Sequence, residues 1–161
     1  MKKKDKMTFV LTSCGRVDLL DKTLSSFFKF NRFKMDKHYL VEDSVDDGVY
    51  KHVKKKWGSK LELLLNKRKK GQITSIVETY NKINTPFIFH CEDDWIYTRK
   101  NFVEDSLEIL RTDKKIIQVW LESRESASRL DVFEYGPLQK TKSKLGFRKV
   151  FCKPGWEWGY F

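Results

Sequence analysis

A three-layer α/β/α sandwich on a mostly parallel sheet is the fold this sequence predicts, and three observations carry that prediction. Short β-type apolar runs alternate with segments whose apolar residues recur at helical spacing, the pattern of successive βα units. The chain has 161 residues, 40% apolar and 14% aromatic, enough for one domain with a real core and too few for two full-sized ones. No internal repeat or low-complexity linker divides it, so residues 1–161 read as a single domain.

The elements follow in order. Residues 8–12 (Thr-Phe-Val-Leu-Thr) form a first strand, ended by Ser13, Cys14 and Gly15. From Asp18 onward, Leu19, Leu20, Leu24, Phe27 and Phe28 recur at helical spacing and give the first helix. Residues 38–42 are a second strand, closed by the polar stretch 43–48. Residues 49–57 make a short helix stopped at Gly58, and 61–65 a third strand. A loop containing Gly71 leads into a helix that carries Ile73, Ile76, Val77 and Tyr80. Pro86 turns the chain into a fourth strand, 87–91, apolar enough to be buried. Residues 102–110 are helical, with Phe102, Val103, Leu107 and Leu110 on one stripe, and 116–121 are a fifth strand. Beyond about Arg124 the pattern becomes irregular and basic, with a turn at Gly136-Pro137.

Composition narrows the class. Charged residues make up 34% of the chain, against roughly 25% in ordinary soluble proteins, and no stretch approaches the ~18 apolar residues of a spanning helix. The aromatic content argues against intrinsic disorder. A basic start, residues 1–6, resembles the front of an export signal, but only 7–11 follow, short of the ~7–15 apolar residues such a signal uses. The segment therefore reads as a strand and the protein as cytoplasmic. Cys14, Cys91 and Cys152 are odd in number and scattered without a CxxC, and His38, His52 and His90 lack HExxH spacing. Neither a disulfide framework, a zinc ribbon nor a His-rich metal site is indicated.

The net charge of +11 is unevenly spread: residues 1–70 carry +10, 71–134 carry −4 and 135–161 carry +5. A basic surface suits an anionic partner such as a nucleotide diphosphate, a phospholipid headgroup or nucleic acid. The runs Lys54-Lys55-Lys56 and Lys67-Arg68-Lys69-Lys70 read equally well as solvated faces. A nucleic-acid module would lose affinity steeply with salt, but no recognition-helix or RNP-type motif supports one, and nucleic acid is not expected as a partner.

In parallel sheets ligands bind beyond the carboxyl ends of the strands. Ser13, Gly15 and Arg16 follow the first strand, Asp43 the second and Asn66 the third. Glu92-Asp93-Asp94-Trp95 follows the fourth. Three adjacent acids ending a buried apolar strand need a compensating cation. Their hard oxygen ligands suit Mg²⁺ or Mn²⁺, particularly where substrate phosphates complete the shell. The alternative is an acidic helix start pairing with Arg99 and Lys100.

Four pieces in order, residues 12–20 (Thr-Ser-Cys-Gly-Arg-Val-Asp-Leu-Leu), 41–44 (Val-Glu-Asp-Ser), 71–76 (Gly-Gln-Ile-Thr-Ser-Ile) and 89–95 (Phe-His-Cys-Glu-Asp-Asp-Trp), resemble the family-2 glycosyltransferases of the GT-A fold. The resemblance is closest to a bacterial-type branch with a Glu-Asp-Asp-Trp motif and covers nearly the whole chain. It implies transfer of a sugar from a nucleotide-sugar donor, with a divalent metal neutralising the leaving diphosphate. It also implies roles. Glu92-Asp93-Asp94 matches the family's Asp-x-Asp motif, with Asp94 as metal ligand and Glu92 or Asp93 on the ribose or the metal. Asp43 matches the acid that reads the base or ribose. Thr12, Ser13 and Arg16 match the first-strand loop beside the nucleotide, and Gly71, Gln72 and Ser75 the segment against the donor. As residues alone, Ser13 and Asp43 read equally as helix starts, and Gly71 as a turn glycine.

Residues 1–123 are then the nucleotide-sugar-binding part and 124–161 a partial acceptor-side segment. Trp156-Glu-Trp-Gly-Tyr-Phe161 resembles the aromatic border of the acceptor side in several GT-A enzymes, where tryptophan faces pack on sugars. The acceptor is expected to be a glycan, a lipid-linked molecule or another small molecule, with peripheral contact to an anionic membrane. Glu157 is the sole acid after Glu134 and hence the candidate general base. Because the acceptor side is short, weak transfer by this chain alone is expected. Two alternatives are a nucleotide-sugar-binding protein without transfer and a sugar nucleotidyltransferase, although Ser13-Cys-Gly-Arg16 is poor in glycine for the latter.

Overall fold

The computed structural model describes residues 6–112 and 116–121, together with the backbone of two short strands, Gln139–Lys140 and Val150–Phe151. Four parallel strands make one sheet: β1 (Met7–Ser13), β2 (Lys37–Glu42), β3 (Glu62–Leu65) and β4 (Phe87–Glu92), in the order β3-β2-β1-β4. Strand β1 is central and buried along its whole length, its apolar residues Phe9, Val10 and Leu11 covered on both faces and its polar residues Thr8, Thr12 and Ser13 buried with them. It pairs with β2 in the register Leu11↔Leu40 and with β4 in the register Leu11↔Cys91.

Side chains alternate across the sheet and recruit a layer on each side. On one face Phe9 stacks on Phe27 of α1 (Val17–Phe30) with ring centres 4.1 Å apart, and Phe89 lies 5.9 Å from the same ring. Helix α1 buries Leu20, Thr23, Leu24 and Phe27, one stripe at helical spacing. Helix α2 (Asp47–Trp57) packs beside it through Val53 and Trp57. It starts two residues before the expected Val49 because Asp46 caps it, accepting the Val49 amide at 3.0 Å. On the other face Val10, Tyr39 and Val41 pack with Leu64, Ile83, Ile88 and Tyr80 of α3 (Gln72–Tyr80). The expected α/β sandwich is therefore present in the described residues.

One expectation is corrected, at residues 116–121. Helix α3 forms as expected; it buries Ser75 and Thr79 and packs Tyr80 on the core, whereas Ile73 and Val77 are more than half exposed. The sheet end under α3 is polar: Asn66 reaches the Ser75 hydroxyl, so small polar residues fit where an aliphatic would take away one of that amide's two acceptors. Residues 116–121 do not form a fifth strand, and Ile117 is 88% exposed. A β-type run becomes a strand only when a neighbour takes up its backbone groups, and none of the described strands does so.

The chain divides into two units, Met1–Glu104 and Asp105–Phe161. Helix α4 (Phe102–Thr112) begins in the first and buries Phe102, Val103 and Leu107, as its stripe predicted. In the second unit β5 (Gln139–Lys140) and β6 (Val150–Phe151) pair antiparallel. The turn expected at Gly136-Pro137, the segment 156–161 and Cys152 lie outside the described residues. Cys14 and Cys91 are free thiols, and burial pushes Cys91 up to about 12, an inert packing residue. Among the described residues no helix is long and apolar enough to cross a membrane.

The α1–α2 contact is pinned by one carboxylate. Asp21 accepts from Trp57 Nε1 at 2.7 Å, Lys56 Nζ at 2.7 Å and His52 Nε2 at 2.9 Å. Burial alone would raise its pKa; the bonds from Lys56, Trp57 and His52 outweigh burial and lower it below the usual 3.8. Asp21→Ala should cost about 1–3 kcal/mol in urea unfolding at neutral pH. Because the folded pKa is the lower one, this stabilisation is complete above the unfolded value. It fades as pH falls through the folded value, so wild type and variant should converge once pH lies below that lowered value. A gap that persists into acid would show that packing, not the carboxylate, supplies it.

Candidate functional site

All four strands point their carboxyl ends the same way, and the strand order reverses between β1 and β4, since β2 and β3 lie on one side of β1 and β4 on the other. That is the switch point where a parallel sheet opens a crevice. The sequence places acids and small polar residues at this edge, and the structure brings them into four adjoining clusters.

The first cluster spans β1 and β4. Asp93 is only 1% exposed at its side chain. Its Oδ2 accepts from Ser13 Oγ at 2.9 Å and from Arg16 Nε at 3.3 Å, and its Oδ1 pairs with Arg16 Nη2. Arg16 also donates to Asp94 Oδ2 at 3.2 Å. The Asp93 carboxylate, then Asp94, raise the arginine's pKa above its ordinary value, so it stays charged. The described ion pairs of Asp93 and Asp94 thus go to Arg16 at the far end of the sequence, not to the neighbouring Arg99 and Lys100. Thr23 of α1 donates to the Asp93 carbonyl at 2.7 Å and fixes the turn from below.

The second cluster is at the end of β2. Glu42 is fully buried; its Oε1 accepts the amides of Gly15 and Ser44, each at 2.9 Å, while its Oε2 is buried without a partner. Gly15 has a φ of 81°, a left-handed conformation that suits glycine and lets its amide face the carboxylate. Sequence reasoning passed over Glu42 in favour of its neighbour. The available signal was an acid as the last residue of an apolar strand.

Asp43 organises the third cluster. Both of its oxygens are taken: Oδ1 by Asn66 Nδ2 at 2.7 Å and the Lys70 amide at 2.9 Å, Oδ2 by the Gly71 amide at 2.8 Å. Asn66 also donates to Ser75 Oγ at 2.9 Å. Burial raises the Asp43 pKa, but the bonds from Lys70, Asn66 and Gly71 and the charge of Lys69 outweigh it and lower it. Gly71, with a φ of 81°, turns the chain into α3.

The fourth cluster lies on the α3 side. Gln72 Nε2 donates to Glu92 Oε1 at 2.7 Å. Thr12 Oγ1 lies 3.3 Å from His90 Nε2, and the Tyr80 hydroxyl 2.7 Å from His90 Nδ1. Burial lowers His90 to about 4 and raises Tyr80, so the imidazole is neutral and the phenol protonated at pH 7. Either neutral tautomer satisfies both contacts: Tyr80 donates to Nδ1 while Nε2–H donates to Thr12, or Nδ1–H donates to Tyr80 while Thr12 donates to Nε2.

Thr12, Ser13, Arg16, Asp43, Gly71, Gln72, Ser75, Glu92, Asp93 and Asp94 all fall along this edge, and Glu157 lies outside the described residues. Among the described residues no three His, Cys, Asp or Glu side chains form a ready-made metal cage. Asp93 is spent on Ser13 and Arg16. Asp94 has a side chain 42% exposed, and Glu92 is half-buried. That donor set fits a hard divalent cation that takes one or two carboxylates and completes its shell from phosphate and water.

If Asp43 shapes the 67–71 loop, Asp43→Ala should cost about 1–3 kcal/mol. It should also strip hydrogen-exchange protection from the Lys70 and Gly71 amides, leaving the β1 amides protected. Unchanged protection at those two amides would refute the assignment.

A solved structure shares this architecture. Mannosyltransferase PcManGT from Pyrobaculum calidifontis, in complex with GDP-Man and Mn2+, superposes with a TM-score of 0.58 at 12% sequence identity. The match covers 65% of this chain and 32% of that chain, so this chain spans about a third of that protein's length. No family model matches the chain, and no curated protein matches it in sequence. The likeness shows the fold, a glycosyltransferase-like α/β sandwich.

Proposed function

We propose that this chain is a family-2-like glycosyltransferase that binds a nucleotide-sugar with Mn²⁺ or Mg²⁺ at the carboxyl edge of its sheet, in the cytoplasm. The observation that carries the reading is the convergence of Ser13, Arg16, Asp93 and Asp94 at the switch point between β1 and β4. Support comes from the neighbouring fold, a mannosyltransferase whose structure contains GDP-Man and Mn2+.

Each residue then has a task its geometry suits. Asp94, with Glu92, holds the cation, which when bound supplies Lewis-acid neutralisation of the diphosphate. Asp93 anchors Arg16, whose guanidinium places fixed positive charge beside the crevice where phosphates would lie. Glu42, fully buried, holds the Gly15 and Ser44 amides and so fixes the first-strand loop beside the crevice. Asp43, Asn66, Gly71 and Ser75 shape the wall on which the donor rests, and Thr12 and Gln72 line it. In transfer, the bond from the anomeric carbon to the diphosphate oxygen breaks and the bond to the acceptor oxygen forms. The acceptor's proton passes to a base, proposed at Glu157. The acceptor is a glycan, a lipid-linked molecule or another small hydroxyl compound.

Calorimetry with GDP and UDP, with and without Mn²⁺, tests the reading. Nucleotide affinity should depend on metal, and Asp94→Asn should lower the metal-dependent affinity at least about tenfold. Its melting temperature should stay within about 2 °C of wild type, because Asp94 is a surface group with one exposed ion pair. Equal affinity with and without metal would overturn the metal assignment, and no affinity for either nucleotide would overturn the function.

A further inference from the structure

The outer face of the α1–α2 layer takes no part in the crevice, and its charges are left over. Helix α1 exposes Lys22 and Lys29, seven residues apart and so on one side of the helix, and α2 exposes Lys51, Lys54 and Lys55. The ion pairs of this layer join His52 and Lys56 to Asp21. Among the described residues no acid pairs with Lys22, Lys29, Lys51, Lys54 or Lys55.

Beside Lys22 and Lys29 runs a shallow, mainly apolar groove of about 580 Å³, between α1 and residues 96–98. Lys22 and Lys29 border it, and Phe30, Ile96 and Tyr97 line it. Its floor is rigid. Tyr97 is buried, stacks on Phe102 at 4.7 Å between ring centres, and its amide donates to Ser26 Oγ at 3.1 Å. Ile96 sits on that floor yet is 60% exposed. Lys29 Nζ lies 5.1 Å from the centre of the Phe30 ring, so cation and apolar surface are presented together.

We propose that this groove and its lysines are a docking face for the surface of an anionic lipid bilayer. Unpaired lysines meet headgroup phosphates, and an exposed aliphatic beside them enters the acyl boundary; the two features together suit a membrane interface. A nucleic acid would use the lysines but gain nothing from Ile96, since its contacts are phosphates, base edges and stacking faces. Ile96 is two residues beyond Asp94, so docking here would set the crevice beside the bilayer. The inference stands on this face alone and survives failure of the nucleotide-sugar reading.

Vesicle co-sedimentation of the full chain tests it. Vesicles of phosphatidylcholine alone are compared with vesicles holding about 30% phosphatidylglycerol, at about 0.15 M salt. Wild type should bind the anionic vesicles and not the neutral ones. Lys22→Gln with Lys29→Gln should lower partition about thirtyfold, at about fivefold per lysine. Ile96→Ser should lower it about fivefold. Lys37→Gln with Lys82→Gln, the same change of net charge at the amino-terminal edge of the sheet, should stay within about twofold. Circular dichroism of these surface variants checks folding, and nucleotide calorimetry reports the crevice separately. Equal binding to both vesicles, binding to neither, or an equal loss from the Lys37/Lys82 pair would overturn the proposal. So would binding of single-stranded nucleic acid that the Lys22/Lys29 pair abolishes while vesicles go unbound.

Discussion

A carboxylate with 1% side-chain exposure at the end of a buried strand is the constraint around which this edge is arranged. An unpaired charge there would cost several kcal/mol, so Asp93 must find both a counter-charge and hydrogen-bond donors. Both come from the end of the neighbouring strand, Ser13 for a hydroxyl and Arg16 for a guanidinium. The demand reaches into the helix that follows. Arg16 stands at the N-cap of α1 and makes no side-chain cap bond, so the helix forgoes the Ser, Thr, Asp or Asn usual there. A local stability preference yields to the buried acid, as expected where a fold serves a site rather than itself.

Below the edge the aromatic core gives the acids a stiff support. Phe27 is shared by Phe9, Phe89, Tyr97 and Phe102, with ring centres 4.1 to 6.1 Å apart. Such clusters add specific geometry to area burial. Since Tyr97 and Phe89 flank the acidic turn in sequence, the turn is held from both sides, with Thr23 gripping its backbone in the middle. Asp94 thereby gains exposure without gaining freedom.

The sheet was legible in the sequence because its strands are apolar runs of the right length between Gly, Pro and Asp signals, and β1 to β4 fall where residues 8–12, 38–42, 61–65 and 87–91 foretold. The reading failed where partners decide. Residues 116–121 have the composition of a strand, but pairing is a property of neighbours and leaves no mark on the run itself. On α3 the helix was legible but its packed face was not: Ile73 and Val77 are exposed, and the helix turns Ser75 to Asn66 at the sheet end. Strand-end acids were legible as a set; the division of labour among them was not.

That division is clearest at the end of β2, where two consecutive acids have opposite hydrogen-bond balances. Asp43 receives three donors on two oxygens, which lowers its pKa and leaves little capacity for a ligand. Glu42 receives two amides on one oxygen and none on the other, although it is the more deeply buried of the two. Period-two alternation explains the split: adjacent residues at a strand end face opposite sides, so Asp43 turns to the β3–α3 loop and Glu42 to the β1–α1 loop. A buried acceptor without a partner forfeits about 1–3 kcal/mol, a concession native structures make chiefly where something else completes the bond. Of the two acids Glu42 therefore carries the unmet hydrogen-bond demand, at 0% exposure a demand internal to the β1–α1 loop it braces through Gly15, and Asp43 has the stronger claim to hold the wall of the crevice.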